Sequence, residues 1–474
     1  MSVQAPVHDP ATPVIKRPRH IQWAWDIFGH ATLPDERLKK RAVKFLVDKV
    51  QHPSRSVNGS CRDAAAAKGA YRLLSNERVQ PEHLWEPYFD YSAQVCAEFA
   101  SFYAVHDATC LSYLRLHATT GLGTATLKEP HYLWKQSCLA LRRNGQALGL
   151  LHAHLWARPV EEFKAKADHH TRPIEDKESY EWIRGVEAVA ALQAQHFPTS
   201  RPIHIMDIGG DIHEVYETIL RHGHGCIIRC GYNRGVEGAH RYLHDTVAAQ
   251  PVRDTADIDL PRHDKVPARV AHVELRSVRV TVRLSANKHK GRQPYEINVL
   301  RVTEPEPPPG VEAVDWILCT TEPIDTVQEC WAVVEGYKLR WRIEDYHLVL
   351  KSGCHAEKTQ LKTAERIMRL MPFLCFVAVR ILALRDHART EPDAPCTVVL
   401  DAEEWPVLWS YVHGRAVPRG HPPPTLQEAV LMIGRLGGHL GRAGDAMPGV
   451  RSLWRGMYDL ELILIGYRLA ELNR

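Results

Sequence analysis

Three carboxylates, Asp107, Asp207 and Glu344, stand far apart along the chain in contexts that suit metal binding. The apolar run 102–106 precedes Asp107 and the apolar run 202–206 precedes Asp207, and each run is typical of a short buried strand. Ligand sites of α/β sheets lie near strand ends. Three carboxylates can hold two Mg²⁺ ions about 3.5–4 Å apart, one activating the attacking oxygen and one supporting the leaving oxygen of a phosphate ester. These residue types therefore indicate phosphoryl transfer, although a single aspartate at a strand end is more often a cap or a surface residue.

The third carboxylate lies in a segment, 326–350, that has the periodicity of a long helix or a helix pair. Tyr337, Arg340, Glu344 and Lys351 stand at i, i+3, i+7 and i+14, so at about 100° per residue they form one polar stripe. Arg340 and Lys351 could hold phosphates, and Tyr337 could donate a hydrogen bond to one. A second stripe is apolar and is expected to face a core: Leu339, Ile343, Tyr346 and Leu350. The polar stripe taken alone could also be a solvated face with salt bridges.

The elements that position these residues have an α/β pattern. Apolar runs and turn signals predict a hairpin of 137–141 with 147–156 across Arg143-Asn144-Gly145. Residues 176–195 have helical spacing, and 251–302 has the alternation of a β-rich insertion. The fold class is therefore predicted as α/β.

The N-terminal part is predicted to be a small, helical, basic domain. Residues 1–20 are Pro-rich and expected to be disordered, whereas 33–50 has one apolar helical face. Ser60, with Asp63 three residues on, could cap a second helix that ends at Leu74. Basic residues cluster here: Lys16, Arg17, Arg19, Arg37, Lys39, Lys40, Arg41 and Lys44. Such clusters fit DNA binding and a solvated surface equally well.

Composition limits the class of protein without deciding it. The 474-residue chain is too long for one core and suits two or three domains. A net charge of +4 does not by itself indicate nucleic acid. The 11 cysteines form no Cys-x-x-Cys pair, which is typical of reduced thiols in a cytoplasmic protein.

Two segments could suggest other classes. The apolar segment 367–384 contains Arg369 and Arg380, which would cost roughly 2.5–3.5 kcal/mol each inside a membrane, so a buried core helix is predicted. Zinc-capable side chains also lie close together: His222, His224, Cys226 and Cys230. Their spacing fits no zinc finger well and predicts a buried strand instead.

The polar stripe, written Tyr337-x-x-Arg340-x-x-x-Glu344-x-x-x-x-x-x-Lys351, resembles the Tyr-Arg-Glu-Lys signature of the DDE transposases of the Tn-five type (the IS-four group of insertion sequences). Other similar segments follow in the family's order: Lys68-Gly69-Ala70-Tyr71-Arg72-Leu73-Leu74-Ser75-Asn76, Val105-His106-Asp107-Ala108-Thr109, Asp176-Lys177-Glu178-Ser179, Arg229 with Asn233-Arg234, Pro267-Ala268-Arg269, Trp316-Ile317-Leu318-Cys319-Thr320-Thr321-Glu322-Pro323 and Gly434-Arg435-Leu436-Gly437-Gly438. The resemblance spans nearly the whole chain.

The resemblance implies a ribonuclease-H-like (retroviral-integrase-like) catalytic core with a β-rich insertion, flanked by helical N- and C-terminal domains. The implied division is a DNA-binding domain over 1–80, a catalytic domain over 81–390 with its insertion at about 240–325, and a dimerisation domain over 391–474. A bacterial, nucleoid-associated cytoplasmic protein with no membrane partner is implied as well.

The implied activity is cut-and-paste transposition by a homodimer bound to double-stranded DNA, namely the element's inverted-repeat ends and target DNA. Asp107, Asp207 and Glu344 would be the catalytic residues and the ligands of Mg²⁺, with Mn²⁺ tolerated. Strand nicking would be followed by hairpin formation, hairpin opening and strand transfer. The implied DNA-binding residues are Tyr337, Arg340, Lys351, Arg229 and Trp316. Trp316 would stack on a flipped base, or it could simply be a core tryptophan.

The chain departs from the family's pattern around the second aspartate. Ile208 and Gly209 stand where the family has Arg and Glu, Gln136 stands where it has His, and Ala108 follows Asp107 where Thr is usual. Two glycines beside a ligand are expected to loosen the backbone that positions it. Two alternatives follow: a catalytically impaired protein that binds transposon ends without cutting, and a stand-alone nuclease of the same fold.

Overall fold

The computed structural model describes residues 19–126, 129–159, 172–260, 267–284, 293–442 and 445–472. The Pro-rich segment that was expected to be disordered lies outside these residues, apart from Arg19 and His20, which begin the first helix.

Ten strands of the described residues form one sheet. In chain order they are β1 (Ser101–Ser112), β2 (Gly123–Thr126), β3 (Glu129–Leu141), β4 (Ala147–Trp156), β5 (Arg201–Met206), β6 (Gly225–Arg229), β7 (Asp254–Leu260), β8 (Arg269–Val282), β9 (Tyr295–Thr303) and β10 (Asp315–Thr320). Their order across the sheet is β2-β3-β1-β5-β6-β10-β9-β8-β7, and β4 pairs with β3 beside this path. The α/β prediction is confirmed at this level.

The centre of the sheet is parallel and its flanks are antiparallel. Strands β1, β5 and β6 run parallel, while β3 and β10 pair antiparallel with β1 and β6. Strands β5 and β6 are buried almost throughout. Such apolar runs are typical of parallel strands covered on both faces.

Helices cover the sheet and form both ends of the described chain. In chain order they are α1 (Arg19–Phe28), α2 (Glu36–Gln51), α3 (Val57–Ser60), α4 (Ala64–Leu74), α5 (Glu82–Cys96), α6 (Tyr180–His196), α7 (His213–Arg221), α8 (Leu243–Ala248), α9 (Val327–Lys338), α10 (Arg342–Leu348), α11 (Ala364–Thr390), α12 (Glu404–His413), α13 (Leu426–Leu436) and α14 (Val450–Leu472). The predicted helix over 33–50 corresponds to α2.

The predicted cap of the second N-terminal helix was wrong. Asp63, not Ser60, caps α4, since its side chain accepts a hydrogen bond from the Ala66 N–H. Ser60 instead ends the short helix α3, and its hydroxyl donates to the Val57 carbonyl at 3.0 Å. Aspartate and serine are both good N-caps, so residue type alone did not separate the two positions.

The long apolar segment forms the core helix α11. By length and composition alone this helix could cross a membrane, but 83 % of its most apolar window is buried inside the protein. Arg369, near its start, is buried and donates hydrogen bonds to the carbonyls of Leu74 and Val79. Arg380 places its guanidinium carbon 4.6 Å from the Trp23 ring centroid. Both arginines therefore have protein partners.

The hairpin prediction is confirmed, and its first strand is longer than expected. Strand β3 begins at Glu129 and pairs with β4, and Gly145 in the turn has a φ of +87°. Strand β1 also continues past the predicted end, so Asp107 lies inside a strand rather than at its end. Antiparallel pairing with β3 is what sustains β1 beyond this residue, up to Ser112.

The segment over 326–350 is a broken helix. Helix α9 ends at Lys338, a 3₁₀ turn covers Leu339–Trp341, and α10 runs into a π-helical turn over Val349–Gly353. The apolar stripe faces the core as predicted, because Ile343, Tyr346 and Leu350 are fully buried. The changes of helical pitch mean that the polar stripe is not the simple straight line that a uniform α-helix predicts.

Candidate active site

Strands β1 and β5 bring the two aspartates to neighbouring positions of the sheet. In their parallel pairing Val105 lies opposite Ile205, so extending the register by two residues sets Asp207 beside Asp107. Asp107 is buried, and Asp207 is half-buried just past the end of β5. The spacing of 100 residues along the chain gave no hint of this adjacency; it follows from the pairing.

Helix α10 brings Glu344 over the same part of the sheet. Its buried face is fixed by Ile343 and Tyr346, and Arg342 donates to the Gly145 carbonyl at 3.3 Å and pairs with Asp386 of α11. Glu344 lies on the other side of the helix, with 45 % of its side chain exposed. The helix is thus anchored to the hairpin and to α11 while it presents its carboxylate to solvent.

Asp107, Glu344 and His347 form a compact group of possible metal ligands, with one ligand atom of each lying within 4.8 Å of the others. The Nδ1 atom of His347 lies 3.6 Å from Asp107 Oδ2 and 4.0 Å from Glu344 Oε2. Sequence reasoning missed His347. The spacing Glu344-x-x-His347 was the available signal, because residues at i and i+3 share a helix face.

Burial and neighbouring carboxylates disfavour the negative charge of Asp107 at this site. Burial raises the pKa of the Asp107 carboxyl, and the nearby carboxylates of Glu344 and Asp207 raise it further against the opposing effect of Arg340. The pKa of Glu344 is lowered, chiefly by the neighbouring His347 imidazole, while burial opposes this. Closely spaced carboxylates of this kind are stabilised by a bound cation.

The group fits a divalent metal ion by donor type and by spacing. Ligand atoms around an ion with bonds of about 2.1 Å lie roughly 3–4.2 Å apart, so a contraction of under about 1 Å would let all three share one ion. The imidazole is mostly neutral near neutral pH, because burial lowers the pKa of His347 to about 4 despite the opposing effect of Glu344. Neutral imidazole and carboxylate are both ordinary metal donors.

Asp207 lies next to this group but outside the set of three. Its Oδ1 accepts a hydrogen bond from the Gly209 N–H at 2.8 Å, which caps a 3₁₀ turn over Ile208–Gly210. The two glycines that follow lie in closely packed surroundings. A Cβ atom at Gly209 would lie 2.7 Å from Cζ2 of Trp182, and one at Gly210 would lie 2.6 Å from Met206. Close packing therefore requires glycine at both positions.

Cationic and phenolic groups surround the carboxylates. Arg340 Nη1 lies 3.8 Å from Glu344 Oε1. Tyr337 is buried, which raises the pKa of its hydroxyl against the opposing effects of Arg340 and of Arg229 at the end of β6. Lys351 lies on the π-helical turn, close enough to Cys110 of β1 to lower its thiol pKa against the larger, raising effect of burial. The structure thus gathers Tyr337, Arg340 and Arg229 near the carboxylates, with Lys351 one helical turn beyond His347.

Trp316 lies at the second residue of β10 and is half-buried. Its ring meets Tyr337 edge to face, with 5.7 Å between ring centroids and an interplanar angle of 64°, and it packs against the main core. The ring is thus close to the site and partly enclosed by protein. Both predicted roles, stacking on a base and packing in the core, are compatible with this position.

Gln136 on β3 is buried, and its Nε2 has no hydrogen-bond partner. It pairs across the sheet with Ala108, the residue after Asp107, on one side and with His154 on the other. A buried amide without a partner is uncommon. The departure from the family's histidine therefore coincides with an unsatisfied polar group one residue from the site.

Behind the site, three histidines form a buried hydrogen-bonded row. His106 Nε2 lies 2.8 Å from His204 Nδ1, and His204 Nε2 lies 2.8 Å from His224 Nδ1. His224 Nε2 lies 2.7 Å from the side-chain oxygen Oε1 of Gln193, whose side-chain Nε2 donates to the Ser200 carbonyl. Since an amide oxygen only accepts, the N–H groups of the row all point toward Gln193. This arrangement requires neutral imidazoles.

The row predicts acid instability. Burial holds the pKa of His204 well below 6.5 and lowers that of His224 to about 4. Because the unfolded chain binds protons more readily, the stabilisation is complete above about pH 6.5 and is lost as the pH falls toward 4. Each such histidine is expected to cost about 2 kcal/mol of unfolding free energy at about pH 5. Urea unfolding at several pH values measures this.

A matched pair of variants tests the source of the acid instability. His224→Gln should flatten the dependence of the unfolding free energy on pH, whereas His272→Gln should not, because the His272 side chain is 63 % exposed. Equal pH slopes in the His224→Gln variant and the unaltered protein would contradict the prediction.

Two protein-family models match the chain, one at each end. A family described as transposase DNA-binding matches residues 20–79, and a family described as the transposase Tn5 dimerisation domain matches residues 376–473. The first match covers α1 to α4, and the second begins within α11 and extends through α14. These matches support a DNA-binding transposase that forms homodimers. Together the two matches, at opposite ends of the chain, support its assignment as a Tn5-type transposase.

Proposed function

We propose that this chain is a DDE-type, cut-and-paste DNA transposase in which Asp107, Asp207 and Glu344 hold divalent metal. It binds inverted-repeat ends as a homodimer, nicks them, forms and opens hairpins, and joins the freed ends to target DNA. The single observation that carries this proposal is the convergence of Asp107 and Glu344, more than two hundred residues apart in the chain, into one group with His347 whose ligand atoms lie within 4.8 Å.

The strand order supports a ribonuclease-H-like core. Strands β4, β3 and β1 form an antiparallel meander, and β5 and β6 follow in parallel on the other side of β1. We infer that this five-strand unit is the catalytic core, and that β7, β8 and β9 belong to the insertion at about 240–325. The proposed domain limits remain 1–80, 81–390 and 391–474.

The chain's own residues suit a phosphodiester at this position. Metal bound to the carboxylates would act as a Lewis acid toward the phosphate oxygens. Arg340, near Glu344, and Lys351, near His347, supply positive charge on the broken helix, where they can hold phosphates. The Tyr337 hydroxyl, close enough to Arg340 and Arg229 for both cations to lower its pKa against the larger, raising effect of burial, can donate a hydrogen bond to a phosphate. The anchored face of α10 holds Glu344 in place.

Labelled end DNA with Mg²⁺ or Mn²⁺ tests the proposal. If the chain is a transposase, we expect nicks and hairpins at the inverted-repeat ends and, with target DNA added, joined products. Cutting without preference for these ends, and without joining, would favour a stand-alone nuclease instead. If the ends are bound but no nicks and no hairpins form, the proposed enzymatic activity is contradicted.

A second candidate is an end-binding protein that does not cut. Ile208, 47 % exposed beside Asp207 in place of a charged residue, and the unpaired amide of Gln136 favour it. This candidate keeps the DNA-binding and dimerisation functions and loses only the chemistry, so the same assay separates the two.

His347 is expected to contribute to metal affinity. A nitrogen donor suits transition metals better than Mg²⁺, so His347→Ala should raise the half-saturating Mn²⁺ concentration at least about tenfold, since even the partners of ligands have effects of that size. Calorimetric titration of the DNA-free protein and metal titration of cleavage measure this. His272→Ala, which removes a mostly exposed histidine, is the control. An unchanged half-saturating concentration in His347→Ala would remove this residue from the ligand set.

Arg340 and Lys351 are expected to contact phosphates. Arg340→Ala and Lys351→Ala should each weaken duplex binding and reduce the slope of log affinity against log salt by about 0.9, the change expected for one lost phosphate contact. Lys338→Ala is the matched control, because Lys338 lies in the same segment and pairs with Glu335 at 2.9 Å. A variant whose salt slope equals that of the control has lost no phosphate contact.

A further inference from the structure

Beside Asp207 the chain exposes an aromatic ring that the catalytic proposal does not use. Tyr232 lies in the loop after β6 and is 60 % exposed, a large value for an aromatic side chain. Exposed aromatic rings beside a nucleic-acid site have a ready use, because every base has a face on which they can stack.

The loop that carries Tyr232 is held firmly. The buried carboxylate of Asp211 accepts hydrogen bonds from the N–H groups of Gly231 and Tyr232, at 2.7 and 3.1 Å. The Cys230 thiol donates to the Tyr232 carbonyl at 3.3 Å. On the far side, Asn233 accepts from the His244 N–H at 2.9 Å. A ring on such a loop is presented in a fixed position, which lowers the entropy that binding costs.

The Tyr232 ring lies over a buried cation, and its loop packs against the residue that follows Asp207. The guanidinium carbon of the buried Arg234 lies 5.8 Å from the Tyr232 ring centroid. Gly231, the preceding residue, approaches Ile208 so closely that a Cβ atom there would lie 2.5 Å from Ile208 Cγ2. Ile208 directly follows Asp207. Two exposed side chains, Ile208 next to Asp207 and Tyr232 next to the glycine that packs against Ile208, therefore form an apolar and aromatic surface near Asp207, here called the Tyr232 platform.

We propose that the Tyr232 platform receives an unpaired DNA base next to the phosphodiester at the acidic site, with the base stacked on the Tyr232 ring and its sugar against Ile208. This inference rests on the proposed function, because it needs DNA at Asp207. It gives Ile208 a contact with nucleic acid at the position where the related enzymes carry a charged residue. Tyr232 is a positioning residue here; it takes no part in bond breaking.

The platform is distinct from Trp316 in its exposure. Trp316 is half-buried and is covered on one side by Tyr337, whereas Tyr232 is open to solvent. A base leaving a duplex therefore has access to Tyr232 without rearrangement of the core.

Fluorescence quenching tests the proposal without cleavage. The probe is a short duplex with a single-stranded extension that carries one aminopurine, mixed with the full chain in Ca²⁺ so that binding is measured apart from cutting. Stacking on Tyr232 quenches the aminopurine; Tyr232→Ala should lose the quenching and weaken affinity about fivefold to a hundredfold, the range for one lost base–aromatic stack. Tyr232→Phe keeps the ring and should behave like the unaltered protein. Tyr411→Ala is the matched control, because Tyr411 is also 60 % exposed but lies on α12.

Three results would overturn the assignment: no quenching by the unaltered protein, equal quenching by Tyr232→Ala, or loss of quenching in Trp316→Ala but not in Tyr232→Ala. Because the readout needs no catalysis, a protein that quenches the probe but never cuts end DNA would refute the transposase chemistry and leave the platform standing. If the unaltered protein cuts end DNA normally and Tyr232→Ala quenches the probe as well as it does, the platform is refuted and the transposase chemistry stands.

Discussion

Replacing Asp107 by asparagine is expected to lower cleavage of end DNA by roughly a thousandfold or more while binding of the ends stays largely intact. Asp107 is buried among Glu344, His347 and Asp207, and asparagine keeps its shape but removes the charge that holds metal. The measurement is single-turnover cleavage with Mg²⁺ and with Mn²⁺, beside a binding assay without metal.

The control for this prediction is Asp257→Asn, because the Asp257 side chain is 69 % exposed on β7. It should cut like the unaltered protein. Glu344→Gln and Asp207→Asn are expected to abolish cleavage as well, and the second is the more informative variant because Asp207 stands outside the compact group of three. Normal cleavage by any one of these variants would reject the catalytic assignment of that residue.

Replacing Asp211 by alanine is expected to destabilise the fold by about 3–5 kcal/mol, the cost of leaving a buried charge without its partner. The Asp211 carboxylate is fully buried, pairs with Arg234 at 2.6 Å and accepts the Tyr216 hydroxyl at 2.8 Å. Its removal would also orphan the two backbone N–H groups that present Tyr232. Urea unfolding at neutral pH measures the loss.

A paired substitution separates the charge from the packing. Asp211→Leu combined with Arg234→Met removes both buried charges and should be more stable than Asp211→Ala, because no cation is left without a partner. A double variant no more stable than Asp211→Ala would show that packing and backbone hydrogen bonds, not the unpaired arginine, carry the cost. A loss below about 1 kcal/mol in Asp211→Ala itself would contradict the ion-pair argument.

Much of the fold was accessible from local patterns in the sequence. Strand β5, the hairpin of β3 with β4 and the buried apolar face of α10 follow from runs of apolar residues and from the turn around Gly145. The predicted end of β1 was wrong because pairing with β3, a tertiary contact, extends the strand to Ser112. The predicted cap of α4 was wrong because Asp63 and Ser60 are both suitable caps and the helix begins after Asp63.

The site was less accessible than the fold. Residue types pointed to Asp107, Asp207 and Glu344, but the parallel pairing of β1 with β5, which sets the two aspartates side by side, has no local signal. His347 was overlooked because a histidine three residues after a glutamate is common on any helix. The close packing of Gly209 against Trp182 joins residues 27 positions apart, so the sequence around Asp207 gave no sign that the turn has room only for glycine.

Helix α11 has a consequence for how assembly and chemistry are connected. Its 27 residues run without a break from the catalytic region into the part matched by the dimerisation family, which begins at residue 376. Near its end Arg385 contacts Asp345, the neighbour of Glu344, at 2.8 Å, and Asp386 pairs with Arg342. A displacement of α11 at the junction of two copies would therefore shift the helix that carries Glu344, because these ion pairs join the two helices. The helix thus belongs both to the segment matched by the dimerisation family and, through these ion pairs, to the support of the helix that carries Glu344.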